Sequence, residues 1–353
     1  MNLADLYRFL PLLERRLSED YRAARAGAPP PARPFVDTTR EFTLRGGKRL
    51  RAVLVLGGYF LSTGRSPRPA LPAAVALEHF QSWMLIHDDI IDHSEVRRGG
   101  PTVHRAMARA HAAAGGEGSS DSYGEGIAIT LGDLEEPATV GALLSASAPA
   151  ASRLAAIAEY ARMTRLTAYG QLLDIRNGSL PPSRVRERDV LEVHRLKSAV
   201  YTVVSPLRIG SVLGGTSPAR LDDLERFGTD IGIAFQLRDD VLGAGFDAED
   251  AGKSANDLVE GKRTLLVVRA WTRGSTADRA RLDRVLGNPR ASGGDVERAR
   301  EVIRATGSLD YSEGKIRSLT QRALATVERS RTIPARGKPL LREVADRLVH
   351  RRA

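Results

Sequence analysis

The chain has 353 residues, of which 42% are hydrophobic and 27% are charged, and this composition is ordinary for a globular protein. It contains no cysteine, which excludes disulfides, thiol catalysis and thiolate-ligated metals. The formal net charge of +10 is compatible with nucleic acid, acidic membrane surfaces or anionic substrates as partners. Because the basic residues are scattered rather than gathered in one tract, we expect no nucleic-acid partner.

The amino-terminal segment, MNLADLYRFLPLLERRL, contains acidic residues and lacks the pattern of a signal peptide. No apolar run reaches the roughly 18 residues that a membrane-spanning helix requires. These features predict a soluble, cytoplasmic protein. They leave open a peripheral contact between the positively charged surface and an acidic membrane.

Helical periodicity runs through the whole chain, beginning with an amphipathic repeat at Leu3, Leu6, Leu10, Leu13 and Leu17. Further Ala- and Leu-rich helices are predicted over 37–62, 69–95, 127–145, 150–177, 187–214 and 218–242, followed by a loop at 288–295 and a short last helix. Strand alternation is scarce. We therefore predict one all-α domain over residues 1–353, with a mobile loop near 111–126 where small residues cluster.

The first feature with chemical meaning is the acidic cluster in HDDIID (87–92). In a helix, Asp88 and Asp92 are one turn apart and share a face, so they can chelate Mg²⁺ or Mn²⁺ while diphosphate oxygens complete the coordination. Asp89 is offset by one position and is expected to orient or tune the pair. A solvated acidic helix end is the alternative, but the apolar flank at 83–86 disfavours it.

Basic segments stand on either side of this cluster. Arg97 and Arg98 follow it at once, and paired guanidinium groups suit bidentate recognition of phosphate. Upstream, RGGKRLR (45–51) places two glycines before a predicted helix, where backbone N–H groups can approach an anion. It is not a Walker loop, because the G-x-x-x-x-G-K-[ST] spacing is absent. Taken alone, each segment also fits an ordinary polar loop.

A second acidic cluster lies in FQLRDD (235–240), about 150 residues further on. Gln236 is three residues before Asp239, so both can serve the same anion, and Asp240 adjoins them. Three lysines beside glycine or other small residues suit the neutralisation of a departing pyrophosphate: Lys197, Lys253 and Lys262. Each lysine alone would be an ordinary surface residue, so this interpretation depends on their joint presence.

Together these elements resemble the trans-isoprenyl diphosphate synthases, also called polyprenyl synthetases. In chain order the resemblance rests on GGKRLR (46–51), HDDIID (87–92), RRG (97–99), GD (132–133), GQ–LD (170–174), KS (197–198), FQLRDD (235–240), GK (252–253) and GKRT (261–264). It implies a large all-α bundle around a deep central cavity, usually homodimeric, and a short-chain enzyme such as a geranylgeranyl or farnesyl diphosphate synthase.

The resemblance also implies residue roles. The metal ligands, for three Mg²⁺, would be Asp88, Asp92 and Asp239, and the catalytic set would add Asp89, Asp240 and Lys197. The allylic diphosphate would contact Arg97, Lys197, Ser198, Gln236, Lys253 and Lys262. Isopentenyl diphosphate would be held by Lys48, Arg51, Gln81 and Arg98.

The reaction implied by the resemblance is a condensation. Metal ions and cationic side chains stabilise the leaving pyrophosphate of a dimethylallyl, geranyl or farnesyl diphosphate, and the allylic cation is attacked by isopentenyl diphosphate. A terpene cyclase is one alternative, but cyclases need no second diphosphate pocket such as GGKRLR and RRG suggest. A non-catalytic partner subunit is another, but such subunits usually lack an Asp motif.

Some positions depart from the common family pattern. Gly243 stands where many members have a third Asp, Ser198 where Thr is usual, and Gln81 where His is common. The segment after Gly132-Asp133 is more acidic than expected, and the sequence assigns no role to Glu135 or Glu136.

Product length is predicted from residues upstream of the first cluster. Trp83 and Met84 lie five and four positions before Asp88, where bulky side chains set the floor of the product pocket in the resembled family. Trp83 is large and rigid, so we predict a product of fifteen or twenty carbons. The alternative is that Trp83 only packs in the core.

Overall fold

The computed structural model describes residues 1–246 and 256–350. Within them the prediction of an all-α fold is confirmed, since the regular structure is helical apart from one two-stranded hairpin. No helix in the described part of the chain is both long and apolar enough to cross a membrane.

The first half of the chain forms α1 (Leu3–Tyr7), α2 (Leu10–Gly27), α3 (Arg33–Leu44), α4 (Leu50–Thr63), α5 (Leu71–Ile91), β1 (Val96–Arg97), β2 (Gly100–Pro101), α6 (Val103–Ala113), α7 (Ser120–Leu144) and α8 (Ala150–Gly178). Short 3-10 turns at Pro30–Ala32 and Arg68–Ala70 precede α3 and α5.

The second half forms α9 (Glu187–Val193), a π-helix (His194–Val204), α10 (Ser205–Leu213), α11 (Pro218–Gly243), α12 (Asn256–Val259), α13 (Leu265–Arg273), α14 (Thr276–Asp283), α15 (Gly293–Ala305), α16 (Ser308–Arg329) and α17 (Lys338–Val349). Two more 3-10 turns lie at Pro182–Arg184 and Ala335–Gly337.

The chain divides into two compact units. Unit 1 comprises Met1–Ala158 and Pro206–Thr216, and unit 2 comprises Glu159–Ser205 and Ser217–Ala353. The single domain expected from the sequence stays a prediction.

Unit 1 is organised around α5, which carries the first acidic cluster at its end. Its side chains join a core cluster that includes Phe42, Ile86, Met107 and Leu131. Where α7 crosses α5, Gly132 allows close approach, because a Cβ there would lie 2.4 Å from Nε2 of His87. The apolar contacts of α5 therefore fix the position of its carboxylates.

Two predicted helices end earlier than their periodicity suggests. The helix expected over 37–62 is interrupted, since α3 ends at Leu44 and α4 begins at Leu50. The interruption follows from Gly46 and Gly47, whose φ angles of 94° and 130° are incompatible with a continuous helix. The helix expected over 69–95 ends at Ile91, so the carboxylates of the first cluster occupy its last turn.

The loop predicted over 111–126 is wrong in extent. The connection between α6 and α7 covers only 114–119, because Ser119 caps α7 by accepting a hydrogen bond from the backbone N–H of Ser122. Gly124, which suggested a loop, instead serves close packing, since a Cβ there would lie 2.3 Å from the carbonyl oxygen of His104. The mobility of the connection stays a prediction.

Unit 2 brings α11, which carries the second acidic cluster, against the π-helix. A Cβ at Gly232 of α11 would lie 2.5 Å from Cα of Ala199, and one at Gly170 of α8 would lie 2.3 Å from the backbone nitrogen of Lys197. These glycines let both helices approach the π-helix closely. π-Helical turns are uncommon and frequently occur at functional sites. The location of Lys197 and Ser198 in the π-helix is therefore consistent with their predicted roles.

Candidate active site

In the first cluster, the two carboxylates predicted to bind metal lie on consecutive turns. The backbone N–H of Asp92, at the C-cap of α5, donates to the carbonyl of Asp88 at 2.8 Å. Both side chains are half-buried, whereas Asp89 between them is fully buried. The shared face expected from the sequence is therefore present, and Asp89 points away from it.

The buried Asp89 is held by Arg97 of β1. Nε of Arg97 donates to Oδ1 of Asp89 at 2.6 Å, and its Nη2 lies 2.5 Å from the same oxygen. Burial raises the pKa of the Asp89 carboxyl, and the guanidinium offsets this only in part. Arg97 was predicted to contact the allylic diphosphate. Because this pairing uses two of its N–H groups, such a contact would fall to the remaining donors.

The structure brings the two basic segments of unit 1 together. Nη1 of Arg98 donates to the carbonyl of Gly46 at 2.6 Å, and a Cβ at Gly47 would lie 3.0 Å from the Arg98 guanidinium. Arg98 itself has a left-handed φ of 53°, which costs free energy in a residue other than glycine. Lys48 is exposed and Arg51 is half-buried in the first turn of α4.

Arg49, in the middle of the same basic run, has a structural role that the sequence did not reveal. It is buried, its Nη1 donates to Oε2 of Glu78 at 2.7 Å, and its Nη2 donates to the carbonyl of Thr43 at 2.9 Å. Its φ of 46° turns it inward just before α4 begins. In this basic segment the buried Arg49 therefore lies between the exposed Lys48 and the half-buried Arg51.

Gln81, Trp83 and Met84 are half-buried on α5. The Trp83 ring makes edge contacts with Phe80, at a centroid distance of 5.8 Å, and with His87, at 6.3 Å. Its Nε1 is buried and has no hydrogen-bond partner among the described residues. Trp83 is thus locked by aromatic packing, as a rigid floor would require, and its role in product length stays a prediction.

Glu135, which the sequence left without a role, lies in a buried polar cluster of unit 1. It accepts a hydrogen bond from the hydroxyl of Tyr21 at 2.9 Å and lies 2.6 Å from Nδ1 of His79. Burial alone would lower the pKa of His79, but Asp20 and Glu135 together raise it to about 9. The cluster is a charge-compensated contact of α2, α5 and α7. Nothing in the structure assigns a role to Glu136.

The second cluster, in unit 2, repeats the pattern of one accessible and one buried carboxylate. Asp239 is half-buried, while Asp240 is buried and lies 3.2 Å from Nε2 of His194. Nε2 of Gln236 donates to Oδ1 of Asp240 at 3.1 Å, and the hydroxyl of Ser198 donates to Oε1 of Gln236 at 2.7 Å. Asp240 is therefore held from two sides. His194 was missed, because a single histidine in an apolar helix carries no motif.

Of the three lysines predicted to neutralise the departing pyrophosphate, the two that are described, Lys197 and Lys262, pair with carboxylates. Nζ of Lys197 donates to Asp174 at 2.8 Å, which explains the aspartate of the GQ–LD motif. Nζ of Lys262 donates to Asp257 at 2.8 Å and lies 2.9 Å from Glu260. Burial disfavours its charge, but these carboxylates raise the pKa of Lys262 well above the ordinary lysine value. Lys253 lies outside the described residues.

The glycine that replaces a third Asp makes room for another carboxylate. A Cβ at Gly243 would lie 2.0 Å from Oδ2 of Asp257, so a larger side chain there would displace Asp257. Burial raises the pKa of the Asp257 carboxyl, while Lys262 lowers it. The space next to the second motif thus keeps an acidic group, supplied from α12 instead of α11.

No group of three or more metal-ligating side chains occurs in the stretches 1–246 and 256–350. The candidate ligands are carboxylates in ones and twos, so several coordination positions would remain for phosphate and water. This donor set fits Mg²⁺, which is usually held by one or two carboxylates plus substrate phosphates.

Comparison with known proteins decides the family. The model of the polyprenyl synthetase family matches residues 34–303. The chain belongs to this family. Its polyprenyl synthetase relatives include a geranylfarnesyl diphosphate synthase from Aeropyrum pernix, 33% identical over 87% of this chain and 91% of that protein. They also include a geranylgeranyl diphosphate synthase from Methanosarcina mazei, 32% identical over 87% of this chain and 86% of that protein.

A solved polyprenyl synthetase structure extends the similarity to the fold. The geranylgeranyl pyrophosphate synthase from Corynebacterium glutamicum, complexed with isoprenyl diphosphate and magnesium, has a TM-score of 0.89 and 35% identity, covering 98% of this chain and 99% of that one. The predicted resemblance, the all-α fold and the class of enzyme, a trans-prenyltransferase, are confirmed. The roles of individual site residues stay predictions.

Proposed function

We propose that this protein condenses isopentenyl diphosphate with an allylic diphosphate, giving a linear all-trans prenyl diphosphate and pyrophosphate. Membership of a family of prenyl chain-elongating enzymes supports the reaction. The observation in this chain that carries it is the shared form of the two acidic clusters. In each, half-buried Asp88 or Asp239 stands beside a buried Asp89 or Asp240 that other side chains hold in place.

Asp88, Asp92 and Asp239 would hold Mg²⁺, of which the family resemblance implies three ions, with Mn²⁺ as a substitute. When bound, the metal neutralises the diphosphate leaving group and so favours cleavage of its C–O bond. The magnesium in the related Corynebacterium glutamicum structure supports this assignment.

The side chains of this protein bind and orient the two diphosphates. Lys197, Ser198 and Gln236 of unit 2 would bind the allylic diphosphate, together with Lys253, Lys262 and the remaining donors of Arg97. Isopentenyl diphosphate would be bound in unit 1 by Lys48, Arg51, Gln81 and Arg98. The contact between the loops of Gly46 and Arg98, at 2.6 Å, preorganises the cations of this second group.

The bonds balance without a protein nucleophile. The C–O bond of the allylic diphosphate breaks, and its electron pair leaves with pyrophosphate. The double bond of isopentenyl diphosphate forms the new C–C bond with the allylic cation, and a proton is then lost to the pyrophosphate. The protein's task is to place the two substrates and to exclude water from the cation.

For product length, we propose fifteen or twenty carbons, with Trp83 and Met84 as the floor. The aromatic packing of Trp83 between Phe80 and His87 supports a rigid barrier. Trp83→Ala should lengthen the product by at least one isoprene unit, because it removes the indole without touching the carboxylates. An unchanged product distribution in a folded variant would contradict this role, and Trp271→Ala, at the other tryptophan of the chain, is the control.

We also propose a homodimer. Apolar side chains that a monomer would leave in water support it: Ile129 and Leu144 on α7, and Tyr169, Leu172 and Ile175 on α8 are each at least 46% exposed. A sedimentation mass equal to one chain at micromolar concentration would overturn the homodimer. The cytoplasmic location and a peripheral contact with acidic membranes stay predictions.

The deciding experiment incubates the purified protein with Mg²⁺, labelled isopentenyl diphosphate and each allylic starter, and separates the dephosphorylated products by chromatography. A linear prenol from both substrates is the expected result. A cyclic hydrocarbon formed from the allylic substrate alone would identify a cyclase instead. No incorporation by a folded protein would indicate a non-catalytic partner subunit.

A further inference from the structure

The hairpin that carries Arg98 is too short to hold its own shape. Its strands, β1 and β2, have two residues each, and an isolated two-stranded hairpin is at best marginally stable in water. The turn between the strands consists of Arg98 and Gly99, with φ angles of 53° and 74°. The left-handed conformation of the arginine adds a further cost in free energy. The position of Arg98 therefore depends on contacts from outside the hairpin.

Arg45, the C-cap residue of α3, supplies such contacts to both strands. Its Nη1 donates to the carbonyl of Pro101 in β2 at 2.7 Å and to the carbonyl of Arg97 in β1 at 3.3 Å. Its Nη2 donates to Glu41 of α3 at 3.2 Å, and the side chain is only 17% exposed. One guanidinium therefore joins the two strands of the hairpin to the end of α3.

The hairpin also leaves room for this side chain at Gly100. A Cβ at Gly100 would lie 2.5 Å from Cζ and Nη1 of Arg45 and 2.8 Å from its Nε. These distances are far below ordinary van der Waals contact. Gly100 does not have a positive φ, so the close approach of Arg45, and not the backbone conformation, explains a glycine at this position.

The segment between α3 and α4 is held at both of its ends. At one end is Arg45, bound to the hairpin, and at the other is the buried Arg49. Between them lie Gly46, whose carbonyl accepts a hydrogen bond from Arg98, and the exposed Lys48. The contacts of Arg45 therefore help to bring together two cations that are assigned to isopentenyl diphosphate.

We propose that Arg45 is a positioning residue for isopentenyl diphosphate, which fixes Arg98 relative to Lys48 by holding the hairpin. This inference rests on the proposed function, and it assigns part of the affinity for one substrate to a residue outside the diphosphate-binding set. Arg97 has an anchor of its own, since its side chain pairs with the buried Asp89. Loss of Arg45 should therefore leave the binding of the allylic diphosphate unchanged.

The first test compares Arg45→Ala with Arg40→Ala, the same change at an exposed arginine of α3. For Arg45→Ala we expect KM for isopentenyl diphosphate to rise roughly fivefold or more, the equivalent of one lost hydrogen bond, while kcat and KM for the allylic diphosphate stay within about twofold. Arg40→Ala should change none of them. Normal turnover with an unchanged KM, or an equal rise for both substrates, would overturn the role of Arg45 alone. A protein without turnover would instead refute the proposed function.

Binding of isopentenyl diphosphate can also be measured without turnover. Calorimetric titration in the presence of Mg²⁺ and a non-reactive thiolo analogue of the allylic diphosphate gives its Kd directly. The Kd should rise in Arg45→Ala by the same factor as KM. A Kd equal to that of the original protein would overturn the proposal.

Gly100 offers an independent way to displace Arg45. Gly100→Ala places a methyl group where the guanidinium lies, so it should raise KM for isopentenyl diphosphate as Arg45→Ala does. Gly141→Ala is the matched control, because a Cβ there would have no described atom within 4 Å. In the double variant Arg45→Ala/Gly100→Ala the rise should equal that of Arg45→Ala alone, since the methyl group then has nothing to displace. Rises that multiply would show that the two positions act independently and would overturn the proposal.

Discussion

In the first acidic cluster the buried carboxylate, Asp89, lies against the guanidinium of Arg97. In the second, the buried Asp240 lies against an imidazole, that of His194, and a carboxamide, that of Gln236. Both arrangements leave the neighbouring Asp88 and Asp239 half-buried, but they differ in what holds the inner residue.

The difference lies in the charge of the partner. Arg97 carries a permanent charge, which offsets in part the rise that burial causes in the pKa of Asp89. Asp240 instead has the carboxamide of Gln236 as a donor and the imidazole of His194 at 3.2 Å. We therefore expect that removing Arg97 from Asp89 lowers the free energy of unfolding more than removing a partner of Asp240 does.

The largest expected effect comes from the accessible carboxylates. Asp88→Asn and Asp239→Asn should each lower kcat/KM by about 1,000-fold, equivalent to about 4 kcal/mol, because each removes a predicted metal ligand. Steady-state kinetics across a range of Mg²⁺ concentrations measures this. A full effect in one cluster with a normal rate in the other would show that the two acidic clusters do not share one role.

Glu95→Gln provides the control for these variants. Glu95 is an exposed acid in the turn that follows α5, and it pairs with Arg105 rather than with the site. We expect kcat/KM to stay within twofold of the original protein. A loss comparable to that of Asp88→Asn would mean that overall negative charge, and not the ligand position, carries the effect.

The next effect concerns stability. Arg97→Gln should lower the free energy of unfolding by about 3 kcal/mol, because it strands the buried Asp89 charge. Urea denaturation measures the change, and adding Asp89→Asn should restore most of it by removing that charge. Arg98→Gln, at the exposed neighbouring arginine, should cost much less. A loss below 1 kcal/mol for Arg97→Gln would refute the view that Asp89 depends on its ion pair.

A third buried carboxylate, Glu135, sharpens the contrast between arginine and histidine partners. The pKa of His79 is raised to about 9 by Asp20 and Glu135, so this contact stabilises the fold fully below the unfolded value near 6.5. The stabilisation is lost as pH rises through 9, and we expect about 2 kcal/mol between pH 7 and pH 9. Urea denaturation at both values, compared with His79→Gln, tests this. An identical pH dependence in the variant would assign the loss to other groups.

These contacts also show which parts of the site could be predicted from the sequence and which could not. Asp88 and Asp92 were predictable because one helical turn determines their geometry, whereas the helix predicted over 37–62 missed the break at Gly46-Gly47. The partners of the buried groups were not predictable, since Glu135 meets Tyr21 across 114 positions of the chain. Likewise, only packing reveals that Asp257 fills the space beside Gly243. Helical periodicity predicts which residues of a motif share a face. The residues that contact the buried members of the motif are distant in the chain, so only the tertiary structure reveals them.

The smallest expected effect tests the histidine of the second cluster. His194→Ala should lower the free energy of unfolding by about 1.5 kcal/mol, because the buried Asp240 carboxylate loses the polar imidazole that lies 3.2 Å from its Oδ2. His194→Gln, which can still donate, should lose less than half of that. Since Asp240 adjoins Asp239, both variants should also raise the Mg²⁺ concentration needed for half-maximal activity, His194→Ala the more strongly. If the two variants were equally stable and equally active, Gln236 alone would suffice to hold Asp240, and the second cluster would not depend on His194.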